Sequence, residues 1–321
     1  MPIHGQTLQQ IITSFAPRRY ALEGDRTGLQ VGCLDREISS VMVTLDTTLD
    51  VVHEAIYRRA QLIVSHHAVV FRPLDHLRTS DPKGKLLELL IKNDIAVYVP
   101  HTAMDVASGG GNDRLAAKLG LQELDFLRET GRDEAALVVV PKPEGDGVLR
   151  WQSTLDRKLR SVGRALKKET GQAPWSWDLT SGGVARGIGR IGTLPEPISL
   201  EAFGRLVQER LDAPLVRRVG EPERKVQKVA VLCGDGNRFV RDAVRRGADV
   251  LVTGDVYYHT ALEAQALGIA LLDPGHNASE RLVGEVWKEV LEAGLAERQA
   301  EDVEVFVSSV PTEPFALVGA K

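Results

Sequence analysis

The sequence predicts an α/β protein of two similar halves with mostly parallel sheets, plus a small α+β insertion between them. Three observations predict it. Short, continuous apolar runs alternate with helical periodicity, the pattern of parallel strands covered on both faces. This alternation occurs twice in a chain of 321 residues, long for one core and comfortable for two. A less regular stretch separates the two occurrences. The expected divisions are a first half at 1–125, an insertion at 126–186 and a second half at 187–321.

In the first half, ISSVMVTLD (38–46) is a β-branched strand that ends on an acid. TTLDVVHEAIYRRA (47–60) has helical spacing, and QLIVSHH (61–67) is a strand ending on two histidines. A helix over LLELLIKND (86–94) leads into IAVYVPHTAMD (95–105), a further strand ending on polar chemistry. Asn112 is placed to cap a helix through DRLAAKLG, which Gly120 stops.

In the insertion, ALVVVP (136–141) reads as a strand and RWQSTLDRKLRSVGRALKKET (150–170) as a basic amphipathic helix with a solvated face. ISLEAFGRLVQERLD (198–212) then reads as a helix capped at Ser199. The second half runs KVQKVAVLCG (225–234, strand), RFVRDAVRRGA (238–248, helix), DVLVTGD (249–255, strand) and YYHTALEAQALG (257–268, helix). IALLDPGH (269–276, strand), SERLVGEVWKEVLEAGL (279–295, helix) and a closing strand VEVFVSS (303–309) complete it. The halves match each other. VMVTLD and LIVSHH align with VAVLCG and VLVTGD at one offset, which pairs His67 with Asp255, and AVYVPHT aligns with ALLDPGH.

Composition narrows the function classes. Apolar residues make up 43% and charged residues 26%, with a formal charge of −4, which argues against a nucleic-acid binder that needs a net basic surplus. The two cysteines, Cys33 and Cys233, form no CxxC pair, so a thiolate zinc site is not expected and both should pack as small hydrophobes. The start, MPIHGQTLQQIITSF, lacks the signature of a secretory signal. No apolar run reaches the roughly 18 residues of a membrane span, and the expected location is the cytoplasm.

Ligands of open α/β sheets bind beyond the carboxyl ends of the strands. Those ends carry His66–His67, His101 with Asp105, Asp255 with His259, and His276 with Glu280: five of the eight histidines. A helix starting near His276 would put Glu280 on the same face, four residues on. Gly109–Gly111 is no phosphate loop, because GxxxxGK[ST] is absent. His66, His67, Asp105, His276 and Glu280 together make a mixed nitrogen and oxygen set suited to zinc, iron, manganese, nickel or cobalt. Five ligands exceed what one open catalytic metal takes, which points to two divalent ions.

LIVSHHAVVF, VYVPHTAMDVASGGGNDRLAAKLGL, GIGRIGTL, VLVTGDVYYH and LLDPGHNASE resemble the NIF-three-like family of dinuclear metal-centre proteins, some labelled GTP cyclohydrolase 1 type 2. The resemblance implies a two-domain α/β fold, a homohexameric ring and metal ligands at His66, His67, Asp105, His276 and Glu280. His101 and His259 match recurrent family histidines near the metals and are the candidates for substrate contact or proton transfer. Departures are Ala68 where proline is usual, Ala103–Met104 where Asn–Leu is usual, and, in GDRTGLQVG (24–32), Gly24 and Arg26 where the family's WDNxGLQVG has Trp and Asn. The functions expected are a dinuclear-metal-dependent hydrolase, GTP cyclohydrolase-like or acting on phosphoesters, with a small-molecule substrate and nucleotides among the candidates, or a non-catalytic metal-binding ring serving as scaffold, metal store or regulator.

Overall fold

The computed structural model describes residues 2–141, 148–154 and 176–318. The chain divides into two compact units, Met1–Arg128 with Ile188–Lys321, and Glu129–Gly187.

The larger unit contains two sheets. The first is built on β4 (Ser40–Thr44), β5 (Leu62–Ser65) and β6 (Ala96–Val99), all parallel. Every residue of these three strands is buried, which explains why they read as unbroken apolar runs. β2 (Gly28–Val31) closes one edge antiparallel to β6. β14 (Glu304–Val307) closes the other, parallel to β4. A two-residue ladder, β1 (Ile3–His4) with β3 (Glu37–Ile38), stands apart.

The second sheet repeats this plan. β11 (Lys225–Asp235), β12 (Val250–Gly254) and β13 (Ala270–Asp273) run parallel, and β10 (Arg217–Val219) pairs antiparallel with β13 as β2 does with β6. The inner end of β9 (Ser176–Ser199) pairs antiparallel with β11. In the smaller unit, Ala135–Pro141 of β7 (Gln122–Pro141) pairs antiparallel with β8 (Val148–Thr154), and Arg186 pairs with Asp133 at 2.6 Å. The helix expected over 150–170 begins inside β8, and its remainder lies outside the described residues.

Helices α1 (Gly5–Phe15), α2 (Leu49–Tyr57), α3 (Pro82–Lys92), α4 (Thr102–Val106) and α5 (Gly111–Lys118) belong to the first half. α6 (Leu200–Arg210), α7 (Val240–Arg245), α8 (Tyr258–Leu267), α9 (His276–Glu280) and α10 (Val283–Ala296) belong to the second. As expected, Ser199 caps α6 by accepting from Ala202 N.

The halves exchange their last helices. α5 buries Leu115, Ala116 and Leu119 against Val229, Val231 and Val252 of the second sheet. α10 buries Val283, Val286, Trp287 and Leu291 among Val41, Val43 and Val64 of the first. Phe15 of α1 meets Trp287 edge-on, with ring centroids 5.6 Å apart. The closing strand β14, assigned by sequence to the second half, follows α10 into the first sheet.

Two local readings change. Asn112 does not cap α5, which is preceded by Gly110. It lies buried inside the helix, donating to the Asp105 carbonyl and accepting from Cys233 N, both at 2.9 Å, and so ties the halves together. Cys233 is buried as expected, but Cys33 is exposed.

Candidate metal centre

Three strand ends bring the site together. After β5 the chain stays registered to its neighbour, with His66 N and His67 N donating to the carbonyls of Thr44 and Leu45 at 3.0 and 2.9 Å. This fixes both histidines at the sheet's carboxyl edge. After β6 the short α4 carries Asp105, and after β13 the equally short α9 carries His276 and Glu280 on one face, as the four-residue spacing predicts. Because α4 and α9 lead into the exchanged helices, residues from both halves meet at this point.

His66, Asp105 and Glu280 are 0%, 6% and 4% exposed. Glu280 is central. Its Oε1 lies 3.2 Å from His66 Nε2, and its Oε2 lies 2.8 Å from the Nε2 atoms of both His67 and His276. Asp105 Oδ2 lies 3.9 Å from His66 Nε2. Glycine at 234 makes the approach possible, since a Cβ there would stand 2.6 Å from Glu280 Oε1.

The orientation of the rings decides what the cluster can hold. His67 Nδ1 bonds to Asp46 and His276 Nδ1 to Asp255, each at 2.7 Å. A carboxylate at Nδ1 keeps the proton there, so in the neutral rings both Nε2 lone pairs face inward. The two Nε2 atoms stand 3.3 Å apart beside a carboxylate oxygen. Among the described residues, both nitrogens of His66, Asp105 Oδ1 and Glu280 Oε2 are buried without a partner in hydrogen-bond geometry. Converging lone pairs in a dry site repel unless protons or a cation lie among them. This donor set therefore fits divalent metal: His67, His276 and Glu280 place their ligand atoms within 4.8 Å of one another, as do His66, Asp105 and Glu280, and as do His66, His67 and the neighbouring His101.

Burial pulls His67 down, but the bond to Asp46 and the charges of Glu280 and Asp46 outweigh it and push His67 up to about 10. His276 reaches about 9 through the same opposition, with Glu280 and Asp255 overcoming burial. Burial pushes Asp105 up to about 6 against the pull of His66. Glu280 is held well below the carboxylate range, because the surrounding imidazoles outweigh its burial.

His101 forms a third carboxylate–histidine pair, with Nδ1 2.5 Å from the buried Asp25, which also accepts from Thr102 N and Thr102 Oγ1. Its ring lies 5.3 Å from that of His66 and 5.7 Å from that of His67. At φ 41° it holds a conformation that non-glycine residues rarely adopt, and such strain clusters at functional sites. His259, by contrast, is exposed on α8 against Tyr258 and is not brought into the cluster.

A cavity of about 490 Å³ opens on the cluster. His101, Asp105 and Glu280 line it, with Phe71 from the first half and Tyr257 and Arg238 from the second. Arg238 makes no ion pair among the described residues. A second cavity, about 800 Å³, reaches His67 and His276 from the side of Asp46 and Asp255, and the segment Thr312–Leu317 borders it. Asp46 and Asp255 are visible in the sequence as acids at strand ends, but which ring each meets depends on the fold. Asp25 carries no such mark.

Duplicated α/β halves with exchanged helices and a buried His/carboxylate cluster at their junction define the class. The family model of DUF34/NIF3 (NGG1p interacting factor 3) matches residues 3–314, and the chain belongs to this family. It is 35% identical to the "GTP cyclohydrolase 1 type 2 homolog" of Bacillus subtilis (strain 168), covering 98% of this chain and 99% of that protein. The protein of the same name from Halalkalibacterium halodurans is 34% identical over the same shares. Among solved structures, a Bacillus cereus protein related to NIF3 superposes with a TM-score of 0.85 at 34% identity, covering 98% of this chain and 99% of that one. A Staphylococcus aureus protein does so at 0.79 and 28%, with the same coverage. No helix among the described residues is long and apolar enough to cross a membrane.

Proposed function

We propose that this chain is a metal-dependent hydrolase whose centre holds two divalent ions through His66, His67, Asp105, His276 and Glu280. One observation carries the reading: three imidazoles and two buried carboxylates converge, with unpartnered lone pairs, at the wall of an open cavity. Bound ions would supply an activated water and stabilise oxyanion charge. Glu280, with one oxygen toward His66 and the other toward His67 and His276, is the carboxylate placed to serve two ions. His101, held by Asp25, faces the cavity as the group able to carry a proton. Phe71, Tyr257 and Arg238 offer aromatic faces and a cation to a planar, anionic molecule, consistent with a nucleotide or another phosphoester.

The test is a turnover screen of protein loaded in turn with zinc, manganese, cobalt, iron or nickel, against GTP and simple phosphoesters. Metal-dependent turnover that disappears in Asp105→Ala and Glu280→Ala is expected. If loaded protein turns over none of these while Asp105→Ala loses its metal, the hydrolase reading gives way to that of a non-catalytic metal-binding protein.

A further inference from the structure

We propose that Asp46 and Asp255 are a matched pair of positioning residues, one from each half, that aim His67 and His276 at the metal centre. The inference rests on the metal-binding reading above and adds residues to it. Each carboxylate meets the Nδ1 of its histidine at 2.7 Å, and each histidine then presents Nε2 at 2.8 Å from the same oxygen of Glu280. The two rings approach that oxygen from opposite halves, each held at Nδ1 by its aspartate, so neither ring can turn without losing that bond. A carboxylate behind a metal-ligating imidazole both selects the tautomer and raises the basicity of the ligating nitrogen.

The two positions also differ in an informative way. At one repeat offset Asp255 aligns with His67, so a ligand in one half is an orienting acid in the other. The alignment places glycine, Gly234, opposite Asp46, and there the missing side chain admits Glu280. The repeat has divided ligation and orientation between its halves. Asp255 also sits at φ 54°, where glycine is at ease and a side chain is disfavoured. Its side chain leaves the backbone in that conformation and spends its contacts on His276.

The readouts are Zn(II) affinity by competition with a chromophoric chelator, the electronic spectrum of the Co(II)-loaded protein, and thermal unfolding of the metal-free protein. Asp46→Ala and Asp255→Gly are each expected to raise the dissociation constant about 10- to 100-fold, with a changed Co(II) spectrum. Asp46→Asn and Asp255→Asn keep an acceptor oxygen and should fall between those variants and the wild type. Metal-free Asp255→Gly should unfold cooperatively near the wild-type temperature, because relief at the backbone offsets a half-exposed ion pair. Wild-type Zn(II) affinity in both Asp46→Ala and Asp255→Gly would overturn the positioning role. If that result accompanies loss of metal in Asp105→Ala, the metal centre stands and only the positioning role fails. If the wild type binds neither Zn(II) nor Co(II), the metal reading fails and this inference fails with it.

Discussion

A methyl group on Gly234 would lie 2.6 Å from Glu280 Oε1 and 3.2 Å from His276 Cε1, on a backbone already at φ 64°. Gly234→Ala should therefore displace the central carboxylate. The expected outcome is metal affinity lowered on the order of tenfold or more, with about 1–2 kcal/mol of stability lost. Isothermal titration and chemical denaturation would measure the two effects. Glu54, remote from the cluster, makes stability depend on pH. Burial raises Glu54, but bonds from Ser308 and Ser309 and the charge of Arg58 outweigh it and hold its carboxyl below the usual range. Its folded value lies beneath its unfolded one, so this stabilisation is full above the ordinary glutamate range and disappears as pH falls through the lowered value. Wild type should exceed Glu54→Gln by about 1 kcal/mol at neutral pH, with the gap closing at a pH well below the ordinary glutamate range. Denaturation at the two pH values would reveal a constant gap if the carboxylate is not responsible. At this scale the sequence exposes the inward-facing side chains as polar residues at strand ends. It hides Asp25, because the loop that delivers it to His101 has no periodicity to mark its destination.

Among the elements, the exchanged helices have the largest effect. α5 is locked to β11 by Asn112, which satisfies the buried Cys233 N–H and the Asp105 carbonyl. Asn112→Ala strands both groups and should cost about 1–3 kcal/mol. The variant should also lose metal affinity, because the same carbonyl belongs to a ligand-bearing turn. Unchanged affinity at lowered stability would show that α4 keeps its place without this tie. Here reading the sequence succeeds for the strands and stumbles on the connections. LIVS, AVYV and ALLD are recognisable because both faces of a parallel strand are covered, which forces an unbroken apolar run. Asn112 misleads because asparagine ahead of a helical pattern is usually a cap, and nothing local distinguishes a side chain that bonds across to the other half. The partner of β14 is equally hidden, since periodicity defines a strand and says nothing about its neighbour.

At the scale of the molecule, the proposed ions would lie between groups that no single half provides. His66, His67 and Asp105 come from one half and His276 and Glu280 from the other, so binding should stabilise their association as a unit. At a free ion concentration about 100 times the dissociation constant, the expected gain is about 2.7 kcal/mol. For a chain of this size, that raises the unfolding midpoint by roughly 4 °C. Calorimetry with and without chelator would measure it. A midpoint indifferent to Zn(II), Mn(II) and Co(II) would rule out a bridging role. The repeated plan is legible at this level, in one offset shared by two strand pairs and a third pair that also matches, whereas the exchange of helices is not, because it leaves each half's sequence pattern unaltered.

The position of β14 also constrains the timetable of biosynthesis. The first sheet presents an unpaired edge at β4 until residues 304–307 arrive, about 260 residues later in the chain. α10, which roofs that sheet with Trp287, emerges almost as late. A ribosome-bound chain would therefore carry four of the sheet's five strands and three of the five clustered side chains, with nothing opposite them. The cluster can form only once both halves have been synthesised, so an ion would be captured by a chain that carries both and could not guide the early steps of its folding.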